Sequence, residues 1–263
     1  MIFQNKFWGY EIDIPENWIH KNFQDIDGFA LDPKAFHPDY EGKRLGQLLI
    51  RGEWNSKNRT LEDLWGQHFT KLSIMLGAKQ IGSAPWQMGG ATGFEVEILL
   101  PKRDKKRLWV GILQHGRVIL HFMVMHWKEN RANFEPQATN TISSLHFTKN
   151  VSEITTNHFG LPIPPNYSPV NPVEFIEDIK NPDDWLAYQG DRSVGALQSF
   201  YTREVPNYEW EILAYTPFPG PSQLNFSRLQ LQKNDATVTL GLMPAKDENL
   251  TSRIAMKYQE EKQ

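Results

Sequence analysis

The stretch LWVGILQHGRVILHFMVMHW, residues 108–127, decides the fold that we expect for the first part of the chain. Two apolar runs flank the pair His115-Gly116. Glycine allows a positive φ and histidine tolerates one, so this pair suits the centre of a two-residue turn. The two runs are therefore predicted to be antiparallel strands in which Trp109 pairs with Phe122.

The second run contains two histidines, which raises the question of a metal site. Successive side chains of a strand point to opposite faces, so His121 shares one face with Met123 while His126 shares the other with Val124. A metal site needs three or four converging ligands. We therefore predict a strand covered on both sides, with each histidine hydrogen-bonded near an end of the sheet, and no metal.

Helical patterns surround this hairpin. Apolar residues recur at helical spacing over residues 61–76, after Thr60 as a predicted N-cap with Asp63 in a weak capping box, and Gly77 is a C-terminal stop. A second helix is predicted over Pro136–Leu145, since proline suits a first turn. Strands are predicted over residues 10–14, 45–54 and 94–100. This order predicts an α+β fold, an antiparallel sheet covered by helices.

A proline-rich segment separates this part from the rest of the chain. GLPIPPNYSPVNP, residues 160–172, contains five prolines. Proline fixes φ and removes a backbone donor, which favours an extended linker. We therefore predict two domains, residues 1–150 and 173–263, joined by a linker over residues 151–172.

The second domain is predicted to be a smaller α+β unit, a helix packed on an antiparallel meander. Ser193 is suited to cap a helix over Val194–Glu204, and Asn234-Asp235 is suited to a tight turn between two strands. The inward residues of the helix are predicted to be Leu197, Phe200 and Tyr201, and strands are predicted over residues 208–215, 227–232, 236–243 and 250–258.

Composition excludes several classes of function. The 263 residues carry a net charge of −3, which provides no basic field for nucleic acid or an anionic membrane. The chain has no cysteine, which excludes disulfides, thiolate nucleophiles, cysteine zinc sites and iron–sulfur clusters. The sequence shows neither a leader pattern nor a run of roughly 18 apolar residues. We expect no cofactor, and a cytoplasmic protein if the chain is full length or an exported one if a leader was removed.

No familiar catalytic motif occurs: HExxH, GxSxG and a phosphate-binding loop are absent from the sequence. Glu95 and Glu97 are expected on one solvent-facing side of a strand. His20 and His37 flank an acidic loop whose spacing matches no EF-hand. The basic run Lys102–Arg107 is interpreted as a solvated loop that protects a sheet edge, with a docking patch for an acidic partner as the alternative. We therefore predict that the protein is not an enzyme.

Aromatic residues indicate binding rather than catalysis. The chain has nine tryptophans and fifteen phenylalanines, and aromatic side chains dominate binding surfaces as well as cores. TPFPGPSQLNF, residues 216–226, is a proline- and glycine-rich loop that is predicted to be a preorganised contact surface or, alternatively, to fold onto its own core. The candidate partner-binding residues are Phe218, Phe226, Tyr215 and Trp210.

The first domain resembles the PsbP-like family, whose fold is shared with the Mog-type Ran-binding nuclear-import factors. GYEIDIPENW, residues 9–18, is similar to that family's opening strand, and TLEDLWGQHFTKL, residues 60–72, and NTISSLHF, residues 140–147, follow in the family's order. The resemblance covers residues 1–148. It implies an α/β/α sandwich without enzymatic activity and an accessory role, and it transfers no functional residue.

The second domain bears a vaguer resemblance, over residues 185–210, to a small module of bacterial exported or membrane proteins. The combined expectation is a non-catalytic accessory or protein-interaction protein that binds a protein partner or itself. The alternative is a small-molecule or lipid-binding module with a cleft between the two domains.

Overall fold

The structure is a computed structural model that describes residues 1–23, 25–37, 45–55, 57–76, 79–80, 83–100, 106–149, 154–176, 179, 181–217, 227–245 and 251–260. The chain divides into two compact units, Met1–Glu153 and Ile154–Gln263. No helix within these described ranges is both long enough and apolar enough to cross a bilayer.

The first unit is built from short strands and two helices. In chain order they are β1 (Ile2–Asn5), β2 (Tyr10–Asp13), β3 (Ile19–Phe23), β4 (Ile26–Ala30), β5 (Gln47–Trp54), α1 (Leu61–Leu76), β6 (Lys79–Gln80), β7 (Ala84–Met88), β8 (Ala91–Leu99), β9 (Lys106–His115), β10 (Val118–Trp127), α2 (Arg131–Ser143) and β11 (His146–Phe147).

Antiparallel pairing organises these strands into two sheets. The larger sheet has the order β3-β4-β5-β10-β9-β8, and both β6 and β7 pair with β8. The smaller sheet has the order β1-β2-β11. The predicted α+β class, with antiparallel sheets and few helices, is confirmed.

The central hairpin differs from its predicted register by two residues. Trp109 lies opposite Val124 rather than Phe122, and His115 pairs with Val118 as part of β9. The two turn residues are Gly116 and Arg117, and Gly116 has a φ of +58°. A turn with one positive φ at its first central position needs glycine only there, so histidine remains in the strand.

The two faces of the larger sheet are covered by different elements. On one face, Leu64 of α1 packs with Ile112 and Ile119 of the central strands. On the other face lie α2 and the smaller sheet, where the indole of Trp8 is so close to Gly52 of β5 that an added Cβ would lie 2.1 Å from it. The central strands are therefore buried on both sides, as their apolar sequence predicts.

The N-cap of the first helix agrees with the sequence, whereas the start of the second helix does not. The predicted stop at Gly77 lies outside the described residues. Thr60 Oγ1 accepts a hydrogen bond from the backbone N–H of Asp63 at 3.2 Å. Helix α2 begins at Arg131, so the prediction of a start at Pro136 was wrong. A short 3₁₀ turn over Lys128–Asn130 precedes it, and Pro136 lies inside the helix rather than in its first turn.

The second unit is a six-stranded antiparallel sheet with one α-helix against it. Its order is β12-β13-β17-β16-β15-β14. The helix follows its predicted bounds, with the Ser193 hydroxyl accepting from the backbone N–H of Ala196 at 3.2 Å. Leu197, Phe200 and Tyr201 are fully buried, and the sharp turn at Asn234 has a φ of +52°. The elements are β12 (Tyr167–Pro169), β13 (Trp185–Gly190), α3 (Val194–Glu204), β14 (Glu211–Thr216), β15 (Ser227–Lys233), β16 (Ala236–Pro244) and β17 (Ser252–Glu260).

The proline-rich segment differs from the expected linker over residues 151–172, because residues 154–172 belong to the second unit. Leu161 is fully buried, and Tyr167 pairs with Gly190 of β13. The Tyr167 hydroxyl lies 2.6 Å from the Ser252 hydroxyl of β17. Proline is tolerated here because β12 is an edge strand, where a missing N–H costs no interior hydrogen bond.

Candidate functional site

The two histidines of β10 lie on opposite faces of the larger sheet, as their alternation predicts. The imidazole of His121 is 4.8 Å from that of His68 on α1, whereas His126 contacts Glu135 on α2. Among the described residues, no group of three or more histidine, aspartate or glutamate side chains is arranged to hold a metal ion.

His121 belongs to a closed cluster between α1 and the sheet. Its Nε2 is 3.3 Å from Glu53 Oε2, and the guanidinium of Arg51 donates to the same carboxylate at 2.9 Å. Burial is the main cause that lowers the pKa of His68 to about 3, and the charges of His121 and Arg51 add to the effect. His68 is thus a boundary histidine of the helix, and the cluster stabilises the packing of α1.

His20 belongs to a second polar cluster, on neighbouring strands rather than on an acidic loop. The carboxylate of Asp27, which is buried, accepts hydrogen bonds from the Tyr10 hydroxyl at 2.7 Å and from Asn22 Nδ2 at 3.1 Å. The His20 Nε2 lies 3.0 Å from the same carboxylate. Several donors converge on one carboxylate, which accounts for its burial without a ligand.

A cavity of about 170 Å³ lies between α2 and the β8–β9 half of the larger sheet. We call it the α2 cavity. Glu97, Thr139 and Ser143 are exposed at its rim, whereas Val124 and His126 are buried. Its lining consists of Trp86, Met88, Glu95, Glu97, Arg107, Leu108, Trp109, Val124, His126, Glu135, Ala138, Thr139, Ile142 and Ser143.

Pairing with neighbours holds the charged groups of the α2 cavity in place. Arg131 Nε donates to Glu135 Oε2 at 2.6 Å, and His126 Nε2 is 3.6 Å from that oxygen. The other nitrogen of His126, Nδ1, donates to the carbonyl oxygen of Trp127 at 3.0 Å. Glu97 Oε1 is 3.8 Å from Arg107 Nη1. These contacts fix the orientation of the polar groups that line the cavity.

Two tryptophans form the aromatic part of the lining. Trp86 of β7 meets Trp109 of β9 edge to face, with ring centroids 5.3 Å apart. The absence of a side chain at Gly111 permits this approach, since a Cβ there would lie 2.7 Å from Trp86 and 2.9 Å from Trp109. Trp109 Nε1 donates to Glu95 Oε2 at 3.1 Å.

Glu95 and Glu97 share one face of β8, as expected, and Glu97 is exposed to solvent. Glu95 is only half-exposed, because α2 lies alongside this face and forms the opposite wall of the cavity. Sequence reasoning also missed Trp86, Trp109 and Glu135 as members of one site. One part of the site could have been predicted from the sequence. The alternation of β8 and β9 places Glu95, Glu97 and Trp109 on a common face once the strands are paired. The contribution of α2 had no such signal.

The predicted partner-binding residues have different surroundings. Trp210 is only 3% exposed, so the structure corrects its assignment to a contact surface: its indole is part of the interior of the second unit. Tyr215 is 42% exposed on β14, close to Leu213, which is 46% exposed. Phe218 and Phe226 lie outside the described residues, as does most of the basic run Lys102–Arg107.

No protein-family model matches the chain. No curated protein matches it either. A search of solved structures finds similarity to a cyanobacterial PsbP (CyanoP) from Synechocystis sp. PCC 6803, with 15% identity over 56% of this chain and 91% of that one and a TM-score of 0.43. This similarity accords with the resemblance to the PsbP-like family that the sequence of residues 1–148 shows.

Two other solved structures are similar over a comparable share of the chain. A protein of unknown function from Pseudomonas aeruginosa has 15% identity over 54% of this chain and 94% of that one, with a TM-score of 0.37. LpqN, involved in cell envelope biogenesis of Mycobacterium tuberculosis, has 11% identity over 53% and 83%, with a TM-score of 0.41. These likenesses concern the fold of a segment of the chain.

Proposed function

We propose that this protein is a non-catalytic accessory protein whose first unit binds a small organic ligand in the α2 cavity. The observation that carries the proposal is the cavity itself, whose volume of about 170 Å³ resembles that of an engineered protein cavity, about 150 Å³, that binds benzene. The sequence interpretation instead places a ligand between the two domains.

The lining supports binding of a ligand with both apolar and polar groups. Ligand sites combine apolar and aromatic walls with a few placed polar groups, and the α2 cavity has Trp86, Trp109 and Val124 beside Glu95. The hydrogen bond from His126 Nδ1 to the carbonyl oxygen of Trp127 and the proximity of Glu135 fix the imidazole in place, which supports a preformed binding site.

A fragment screen by ligand-detected NMR, with compounds of about six to ten non-hydrogen atoms, tests this function. Ligands of that size have at most millimolar to micromolar affinity. We expect several fragments to bind the wild-type protein and to lose binding in Thr139→Phe, which places a ring at the cavity rim. Asn140→Phe is the matched control, since Asn140 is exposed on the same helix but does not line the cavity.

Two outcomes would contradict this function. The screen could return no fragment that binds, or the fragments could bind the Thr139→Phe variant as tightly as the wild type. Either result would mean that the α2 cavity is only a packing defect beside the helix.

A second candidate function, self-association, is favoured by the edge strand β14. In the part of the chain that the structure describes, β15 is its only hydrogen-bonded neighbour. An edge strand presents unpaired backbone groups, and natural edges are often protected by charged side chains or proline. β14 has no proline, and its one charged residue, Glu211, is at its first position. We propose that β14 pairs with β14 of a second copy, so that Leu213 and Tyr215 of the two copies meet.

Analytical ultracentrifugation of the full chain tests this second function. We expect a dimer for the wild type and a monomer for Tyr215→Lys, because two lysines near a twofold axis repel each other. Gln230→Lys, at an exposed position on the neighbouring strand β15, is the control and should remain a dimer. A monomeric wild type, or a dimeric Tyr215→Lys, would refute pairing through β14.

A further inference from the structure

The charges around the α2 cavity are not evenly matched. Glu135 is engaged by the guanidinium of Arg131 at 2.6 Å, and Glu97 has Arg107 at 3.8 Å. Glu95, by contrast, is paired with a neutral donor, the indole N–H of Trp109 at 3.1 Å. Among the described residues no ion pair involves Glu95, so its carboxylate is the negative charge of the cavity that lacks a cation.

The groups next to Glu95 are those that attract organic cations. The indoles of Trp86 and Trp109 both line the cavity, and tryptophan is the aromatic side chain that binds cations most strongly over its ring. The hydrogen bond from Trp109 Nε1 fixes the carboxylate beside the indole. A carboxylate together with two indoles therefore provides both of the attractions that a protonated amine on an apolar body would use.

We propose that the α2 cavity binds a small organic cation, a protonated amine carried on a short apolar body, with its ammonium group at Glu95. This inference rests on the proposed function, since it names the class of ligand for the same cavity. The volume of about 170 Å³ limits the body to the size of a single aromatic ring with a short chain.

An anionic ligand is the opposite alternative, because Arg107 and His126 also line the cavity. Arg107 already faces Glu97, and His126 faces Glu135 and the carbonyl of Trp127. An anion would have to displace these contacts and would lie near three carboxylates, Glu95, Glu97 and Glu135. The lining contains three carboxylates and two basic side chains, and this excess of carboxylates favours a cationic ligand.

Three compounds of matched shape test the charge preference at neutral pH: phenethylamine, which is a cation, 2-phenylethanol, which is neutral, and 3-phenylpropionate, which is an anion. Their dissociation constants are measured by ligand-detected NMR titration of the full chain. We expect phenethylamine to bind about tenfold or more tightly than 2-phenylethanol, in line with the strength of a charge-assisted hydrogen bond, and 3-phenylpropionate to bind most weakly.

Glu95→Gln provides the residue-level test. Glutamine keeps a carbonyl oxygen that can accept from Trp109 Nε1, so the variant removes the charge while it retains the shape. We expect this variant to lose most of the preference for the amine over the alcohol while the affinity for 2-phenylethanol is unchanged. Glu62→Gln, exposed on α1 at the opposite face of the sheet, is the control and should keep the wild-type preference.

The outcomes separate this inference from the proposed function. Equal binding of the three compounds, tightest binding of 3-phenylpropionate, or an unchanged preference in Glu95→Gln would overturn the cation assignment while the cavity remains a ligand site. No binding of any of the three, together with an empty fragment screen, would overturn both.

Discussion

The imidazoles of His68 and His121 are in contact between α1 and the larger sheet, with ring centroids 4.8 Å apart and ring planes tilted by 41°. The pKa of His68 is lowered from 6.5 to about 3, chiefly by burial and in part by the charge of His121. His68 is therefore neutral in the folded protein at neutral pH. A second charge on this pair would lie in a poorly hydrated space beside another imidazole, which is unfavourable.

This pair predicts how the stability of the protein depends on pH. Because the folded-state pKa of His68 is below its unfolded value, the unfolded chain binds the proton more readily between pH 6.5 and 3. The stability linked to His68 is complete above pH 6.5 and is lost as the pH falls, by about 3 kcal/mol at pH 4.5. Urea denaturation at a series of pH values should show a shallower acid loss for His68→Phe. Identical slopes for the variant and the wild type would exclude this role.

At the scale of elements, two glycines of the first unit differ in the space that is available for a side chain. Gly66 lies inside α1 with no atom within 4 Å of a Cβ built on it, so it has no packing reason to be glycine. Gly52 in β5 lies beneath the indole of Trp8, where a Cβ would be 2.1 Å from the ring. The contact between β5 and Trp8, which lies in the turn that joins β1 to β2, depends on the missing side chain at Gly52.

The same substitution at these two positions should change stability in opposite directions. Gly66→Ala is expected to raise the free energy of unfolding by about 1 kcal/mol, because alanine loses less backbone entropy than glycine in a helix. Gly52→Ala is expected to lower it by roughly 1–3 kcal/mol, because Trp8 must move. Thermal melting of both variants checks the prediction. A stabilised Gly52→Ala would show that the layers can separate at no cost.

At the scale of the whole molecule, the division after Glu153 places the proline-rich segment with the second unit. Leu161 is buried there, and the hydroxyls of Tyr167 and Ser252 lie 2.6 Å apart. A domain that started after the prolines would lose both the buried leucine and an edge strand of its sheet.

Fragments test this division. We expect residues 1–150 to melt cooperatively by themselves, because this fragment contains both sheets and both helices of the first unit. We also expect residues 154–263 to be more stable than residues 173–263, by roughly the 2–5 kcal/mol that removal of a buried leucine side chain costs. Circular dichroism melts of the three fragments provide the measurement. Equal stability of the two C-terminal fragments would restore the linker interpretation.

The sequence by itself determined the features that depend on neighbouring residues. The alternation of side chains predicted that His121 and His126 lie on opposite faces. The residue types at Thr60 and Ser193 predicted two helix N-caps, and both hydroxyls accept a backbone hydrogen bond three residues along the chain. These features require contacts over a few residues only, and the chain chemistry of strands and helix ends specifies them locally.

Only the tertiary structure decided the register of the central hairpin and the composition of the α2 cavity. A shift of two residues keeps every side chain on the same face, so alternation could not distinguish the pairing of Trp109 with Val124 from its pairing with Phe122. The position of α2 beside Glu95 depends on contacts between residues far apart in the chain. Local patterns contain no information about which distant element lies over a given strand face. For that reason the sequence predicted Glu95 on a solvent face, whereas in the fold it lines the α2 cavity.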